Sequence, residues 1–121
     1  MTNIEARSVS NGHRLAVPPE PFDVEVRPDR ERVVVVPRGE LDIATVGRLA
    51  AEIDELASRG FAAIALDLRA TSFIDSSGVH LLLKQMDRRD ARVTVIDGGQ
   101  PVRRAIDLTG VRELLRFEPA Q

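Results

Sequence analysis

Two adjacent hydroxyls, Ser76 and Ser77, stand between a carboxylate, Asp75, and a glycine, Gly78. The strand-like run Phe73-Ile74 precedes them and the apolar helical run Val79-His80-Leu81-Leu82-Leu83 follows. The serines therefore fall at a helix N-terminus, where the first backbone N–H groups are unpaired and carry partial positive charge, so that anionic oxygens are welcome. The structural alternative is that Asp75 or a serine does no more than cap the helix, since Asp and Ser are preferred caps. His80, three residues past Ser77, raises the question of a hydrolase, because a serine nucleophile needs an adjacent base that a third group orients. No Gly-x-Ser-x-Gly elbow is present and no acid is placed to orient His80. Autonomous catalysis is therefore disfavoured against a solvent-facing or partner-facing His80.

Modification asks for much less than catalysis. A modified serine must be exposed, reachable and placed where new charge changes something. Phosphorylation adds about −1.5 to −2 charges and three acceptor oxygens. At a helix N-terminus that charge is tolerated locally, while beside Asp75 and Asp42 it builds a negative patch that an acidic or nucleotide-bearing partner resists. Gly98-Gly99, ahead of a further helix, could also hold an anion, but the Gly-rich loop with Lys and Ser/Thr of a nucleotide-hydrolysing site is missing. A turn is the better account of it.

Composition removes other classes of function. The 121 residues suffice for one core and not for a second, and a formal net charge of −2 offers nucleic acid no basic footprint. No cysteine is present, which excludes disulfides, thiol catalysis and cysteine-ligated zinc and fits a reducing, cytoplasmic setting. The two histidines, His13 and His80, match no metal-ligand spacing, and nothing in the sequence calls for a cofactor. No apolar run approaches the roughly 18 residues of a membrane span, and the N-terminus has no apolar signal segment. The four aromatic residues are all Phe, so the core is expected to be aliphatic.

The elements that must position the serines follow from periodicity. Residues 1–21, with Asn11-Gly12 and Pro18-Pro19-Glu20-Pro21, are expected to form a flexible tail. Phe22, Val24 and Val26 alternate with charged residues as a half-buried strand. Pro28 to Glu31 turns the chain into Val33 to Val36, a central strand, and Pro37-Arg38-Gly39 is expected to take the chain out of the sheet. Val46, Leu49, Ala50, Ile53, Leu56 and Ala57 give an amphipathic helix, capped by Asp42 or Thr45 and stopped at Gly60. Phe61 to Leu66 is expected as a buried strand parallel to the earlier one, with 67–72 as a loop. The helix after Ser76 is expected to bury Val79, Leu82, Leu83 and Met86, with Gln85 off that stripe. Ala91 to Ile96 gives another strand, Pro101 to Gly110 a helix that packs on Val102, Ala105 and Ile106, and Val111 to Phe117 a helical turn with an edge strand. The result is an α/β domain in which function gathers where parallel strands lead into helices. Asp42 and Gly98 are expected near Ser77.

The pairing of Gly39-Glu40-Leu41-Asp42 with Phe73-Ile74-Asp75-Ser76-Ser77-Gly78, together with Asp97-Gly98-Gly99-Gln100-Pro101 and Thr109-Gly110, resembles the STAS domain family. More narrowly, it is similar to the bacterial anti-sigma factor antagonists. The resemblance implies one STAS-like domain over 22–118, with 119–121 as a C-terminal end. It implies a small mixed sheet of four to five strands with helices mainly on one face. It also implies partner switching. The unphosphorylated antagonist binds an anti-sigma factor serine kinase and so frees a sigma factor; the kinase phosphorylates it, the complex dissociates, and a phosphatase resets it. Ser77 is then the phosphoacceptor, and Asp42, Asp75, Ser76, Gly78 and His80 are partner-binding residues of a monomer or weak dimer with no membrane or direct nucleic-acid partner. The alternative within the family is a non-catalytic scaffold or regulatory subunit of a larger signalling or transport assembly. His80 stands where related sequences often carry a smaller residue.

Overall fold

The computed structural model describes residues 21–119; the expected tail up to residue 20 and the last two residues lie outside the described residues. Alternating and β-branched residues form β1 (Asp23–Asp29) and β2 (Arg32–Leu41), an antiparallel hairpin that pairs Val26 with Val35. The hairpin turn places Arg30 at φ 61°. After α1 (Val46–Ser58) comes β3 (Ala63–Asp67), parallel to β2. A 3₁₀ turn at Leu68–Ala70 leads into β4 (Thr71–Ile74), and α2 (Ser76–Met86), β5 (Arg92–Ile96) and α3 (Gln100–Thr109) follow. The sheet runs β1-β2-β3-β5, with β4 as a fifth strand on the far half of β2. Beyond α3, a 3₁₀ turn at Arg112–Leu114 and a parallel bridge from Phe117 to Val95 match the expected helical turn and edge strand.

Strand alternation decides which face is covered. Val33, Val35, Ile64, Leu66, Val93 and Val95 join Leu49, Ile53, Val79, Leu82, Val102 and Ile106 from the three helices in the main core. The intervening Val34, Val36 and Ala65 form a small cluster on the opposite face. All three helices thus contribute to one side, as expected for this α/β architecture. The other side is finished by charge: Asp67, only 2% exposed, accepts two side-chain hydrogen bonds from Arg69 and lies 3.8 Å from Arg27.

Three local expectations are corrected. Pro37-Arg38-Gly39 does not take the chain out of the sheet; β2 continues to Leu41 and changes partner there. Its parallel pairing with β3 spans Val33 to Val35, and its pairing with β4 starts at Gly39, with a register shift between Gly39 and Glu40. Proline has no N–H to give, but its carbonyl accepts from Thr71 Oγ1 at 2.8 Å, and Gly39 at φ 99° supplies the bend that re-aims the strand. The expected loop 67–72 accordingly holds the 3₁₀ turn and the start of β4. On α2, Leu81 and Gln85 are buried, whereas Leu83 and Met86 are only partly so. Gln85 is buried because it lies under Arg88, which donates to it at 3.2 Å and to Asp54 of α1 at 2.6 Å.

Candidate functional site

The partner change in β2 is what builds the site. By running on to Leu41, β2 brings its end beside the turn between β4 and α2, where the Leu41 carbonyl accepts from the Asp75 backbone N–H at 3.2 Å. Asp75 is extended at φ −103°, ψ −172°, and its Oδ1 accepts from Gly78 N at 3.1 Å. This is a helix cap, and it takes up one of the unpaired N–H groups of the first turn. Gly78 is buried beneath the cap. A Cβ there would stand 2.5 Å from Ile74 Cγ1 and 2.8 Å from the Leu41 carbonyl, so only glycine lets the helix approach the sheet this closely.

With Asp75 holding the helix end, the serines are free of that task. Ser76 is exposed, Ser77 is half-buried, and no hydrogen bond is made to either hydroxyl among the described residues. Both line a groove of about 580 Å³ between α1 and α2, together with His80 and Lys84. The opposite wall is apolar: Ile43, Val46, Gly47 and Ala50. Ile43 is 76% exposed, an unusual state for a large aliphatic side chain beside an open groove.

Asp42 shapes this wall from behind. Its Oδ1 accepts from Ala44 N at 3.0 Å, its N–H donates to Thr45 Oγ1 at 2.9 Å, and Thr45 Oγ1 donates to Glu40 O at 2.8 Å. Thr45 is the N-cap position of α1, without a side-chain hydrogen bond to the helix's own N–H groups. Asp42 therefore folds the loop that presents Ile43. Ser76, Ser77 and His80 meet in the groove, Gly78 lies under it, and Asp42 and Asp75 fix its two margins. Gly98 is elsewhere: its contacts are the Leu68 carbonyl and Val102, so the expected proximity to Ser77 is not among them.

The groove's apolar wall and Lys84 were not singled out from the sequence. The available signal was an α1 stripe wider than one sheet face needs. Leu49, Ile53, Leu56 and Ala57 satisfy the sheet, which leaves Val46 and Ala50 to look across at α2. A second groove, of about 410 Å³, runs between β4 and α3 with Phe73, Pro101 and Leu108 on its walls and Arg104 as its one charged group. Among the described residues no group of three or more His, Asp or Glu side chains could hold a metal, and no helix is long and apolar enough to cross a membrane.

The chain and its fold have counterparts among known proteins. The model of the STAS domain matches residues 22–120. The chain belongs to the STAS domain family. An anti-sigma F factor antagonist of Paenibacillus polymyxa is 28% identical over 100 residues, which cover 78% of this chain and 86% of that protein. Among solved structures, an anti-sigma factor antagonist from Mycobacterium paratuberculosis superposes with a TM-score of 0.74 at 26% identity, over 88% of this chain and 92% of that one. The antagonist SpoIIAA matches at 28% identity over 82% of this chain. The TM-score is 0.61 for its unphosphorylated form, of which 89% is covered, and 0.55 for the phosphorylated form from Bacillus, of which 92% is covered. These relatives are anti-sigma factor antagonists, and SpoIIAA has been solved in unphosphorylated and phosphorylated forms.

Proposed function

We propose that this STAS domain is an anti-sigma factor antagonist and a phosphorylation-switched binding module, with Ser77 as phosphoacceptor. The observation that carries this is the Ser77 hydroxyl: half-buried at the rim of an apolar-walled groove, on a helix end that Asp75 caps, with no bond of its own among the described residues. Such a hydroxyl can be modified without removing any interaction that holds the fold. In this reading the unphosphorylated protein covers an anti-sigma factor serine kinase with the groove and its margins, contributed by Asp42, Asp75, Ser76, Gly78 and His80, and a sigma factor is released. The protein supplies no catalytic group; the kinase transfers the phosphoryl group in trans, and a phosphatase removes it. It works in the cytoplasm as a monomer or weak dimer.

The switch follows from electrostatics. Docking on Ile43 and Val46 removes water from the groove, and a phosphate of about −1.5 to −2 charges at Ser77 would have to be desolvated with it. Burying an uncompensated charge costs several kcal/mol, which is ample to dissociate a complex. The test is to capture the cognate kinase from the source bacterium with wild type, Ser77→Ala and Ser77→Glu, and to map phosphosites by mass spectrometry. Ser77→Ala is expected to bind the kinase and stay unmodified, and Ser77→Glu to bind weakly. Stoichiometric phosphorylation of Ser76 in Ser77→Ala sinks the assignment.

A further inference from the structure

Resting on that reading of Ser77, we propose that His80 and Lys84 form an intramolecular receptor for its phosphate, which folds down along α2 into the groove. Ser77, His80 and Lys84 are spaced by three and four residues and all line the α1–α2 groove. Residues at these spacings are neighbours on a helix, with Cβ atoms about 5–6 Å apart, and helical side chains lean toward the N-terminus. His80 therefore leans over Ser77, and Lys84 over His80. Both are exposed, both end in N–H donors, and among the described residues neither side chain has a hydrogen bond or ion pair.

The surroundings leave these donors to a phosphate. Across the groove Ile43, Val46, Gly47 and Ala50 bring neither charge nor a hydrogen-bonding side chain, and their low polarity strengthens charge pairing beside them. The carboxylates at the margins are committed, Asp42 to Ala44 N and Thr45, and Asp75 to Gly78 N. Arg48 of α1 is turned away to donate to Phe22 O at 2.8 Å, and Arg88 at the far end is held by Asp54 and Asp90. Beyond the Ser76 hydroxyl and the N–H groups of the helix end, His80 and Lys84 are the exposed donor side chains that the groove offers to phosphate oxygens. A phosphate held there occupies the groove and engages both His80 and Lys84. Phosphorylation then closes the docking surface from within, in addition to repelling the partner.

The test uses the full chain with phosphoserine placed at position 77 during translation, so no kinase is involved. The ³¹P resonance is followed from about pH 5 to 8, across the phosphate's second ionisation, in wild type, His80→Gln, Lys84→Gln and the double variant. All four are checked for equal unfolding midpoints. Cationic or N–H donors beside a phosphate favour its dianion, so the wild-type ionisation is expected at least about half a pH unit below that of the double variant, with each single variant between. Coincident curves overturn the receptor, and a curve that moves with Lys84→Gln alone removes His80 from it. A kinase that selects Ser76 would sink the assignment of Ser77 and leave this titration unchanged, so the two failures are distinguishable.

Discussion

Gly78→Ala and Gly47→Ala are the same chemical change in the first turns of neighbouring helices, and they should move stability in opposite directions. In an exposed helical position the change gains up to about 1 kcal/mol. Gly47 has no atom within 4 Å of the new Cβ, so Gly47→Ala should realise most of that gain. At Gly78 the methyl group meets Ile74 Cγ1 at 2.5 Å and the Leu41 carbonyl at 2.8 Å. Neither can retreat: Ile74 is 2% exposed, and Leu41 is paired with Ile74 and holds the Asp75 N–H. Overpacking of this kind costs about 1–3 kcal/mol, and loosening the Asp75–Leu41 bond costs about 1 more. Set against the helical gain, the net loss is about 2 kcal/mol. For a domain of this size that corresponds to a melting temperature roughly 8–16 °C lower. The sequence has no Trp or Tyr, so urea and thermal unfolding should be followed by far-ultraviolet circular dichroism. If Gly78→Ala proves as stable as wild type, or if both variants shift the same way, the close approach of α2 to β2 is not what fixes the serine turn.

Asp75→Ala removes the cap on Gly78 N and should cost about 1 kcal/mol in urea unfolding, while Asp75→Asn, still an acceptor, should keep most of the stability. Burial pushes the Asp67 carboxyl up, but hydrogen bonds from the Arg69 side chain and backbone, with the charges of Arg69 and Arg27, outweigh it and hold the carboxyl below its ordinary value. A lowered carboxylate contributes stability that is present above its unfolded value, about 3.9, and is lost as pH falls through the folded one. The wild-type urea midpoint should therefore drop below about pH 4, whereas Asp67→Asn should start lower at neutral pH and fall less steeply in acid. Some slope should persist, because Glu118, despite burial that pushes it up, is likewise held low by Arg32 and Thr94. Parallel profiles for the two proteins would remove Asp67 from this account.

The parts of the fold that periodicity could express were legible. Val33 to Val36 is buried on both faces and the Val46–Ala57 stripe on one, and the parallel crossover from β2 through α1 to β3 leaves little choice of topology. Pro37 misled because its effect depends on what lies alongside. A missing N–H interrupts a strand only where a neighbour needs it, and here β3 has already ended and Thr71 bonds the free carbonyl. No feature within residues 37–39 announces that partner. Gln85 misled in the same way: its polarity places it outside, but Arg88 and Asp54 make a polar lid under which it is buried. A serine turn at a helix N-terminus was visible as a pattern, with the cap left open between Asp75 and a serine, whereas the groove was not visible. Its wall is made by Ile43, an apolar residue in a loop, and by α1 positions that look like ordinary core until both helices are placed.

The division of labour at the serine turn explains how one site can be both rigid and switchable. The serine turn is fixed by backbone and carboxylate, the Leu41 carbonyl on Asp75 N and Asp75 on Gly78 N, while Asp42 and the Thr45 hydroxyl fold the facing loop. None of these passes through a serine hydroxyl. Had Ser76 or Ser77 been the cap, modification would have broken the bond that starts α2, and phosphorylation would have acted by fraying the helix. With Asp75 in that role, the helix end remains intact and still carries the partial positive charge of its unpaired N–H groups, which favours an anion at Ser77. A phosphate there is locally favourable and damaging only to whatever must dock across Ile43 and Val46. In the proposed switch, the free energy of the modification is directed at the complex and spared from the fold.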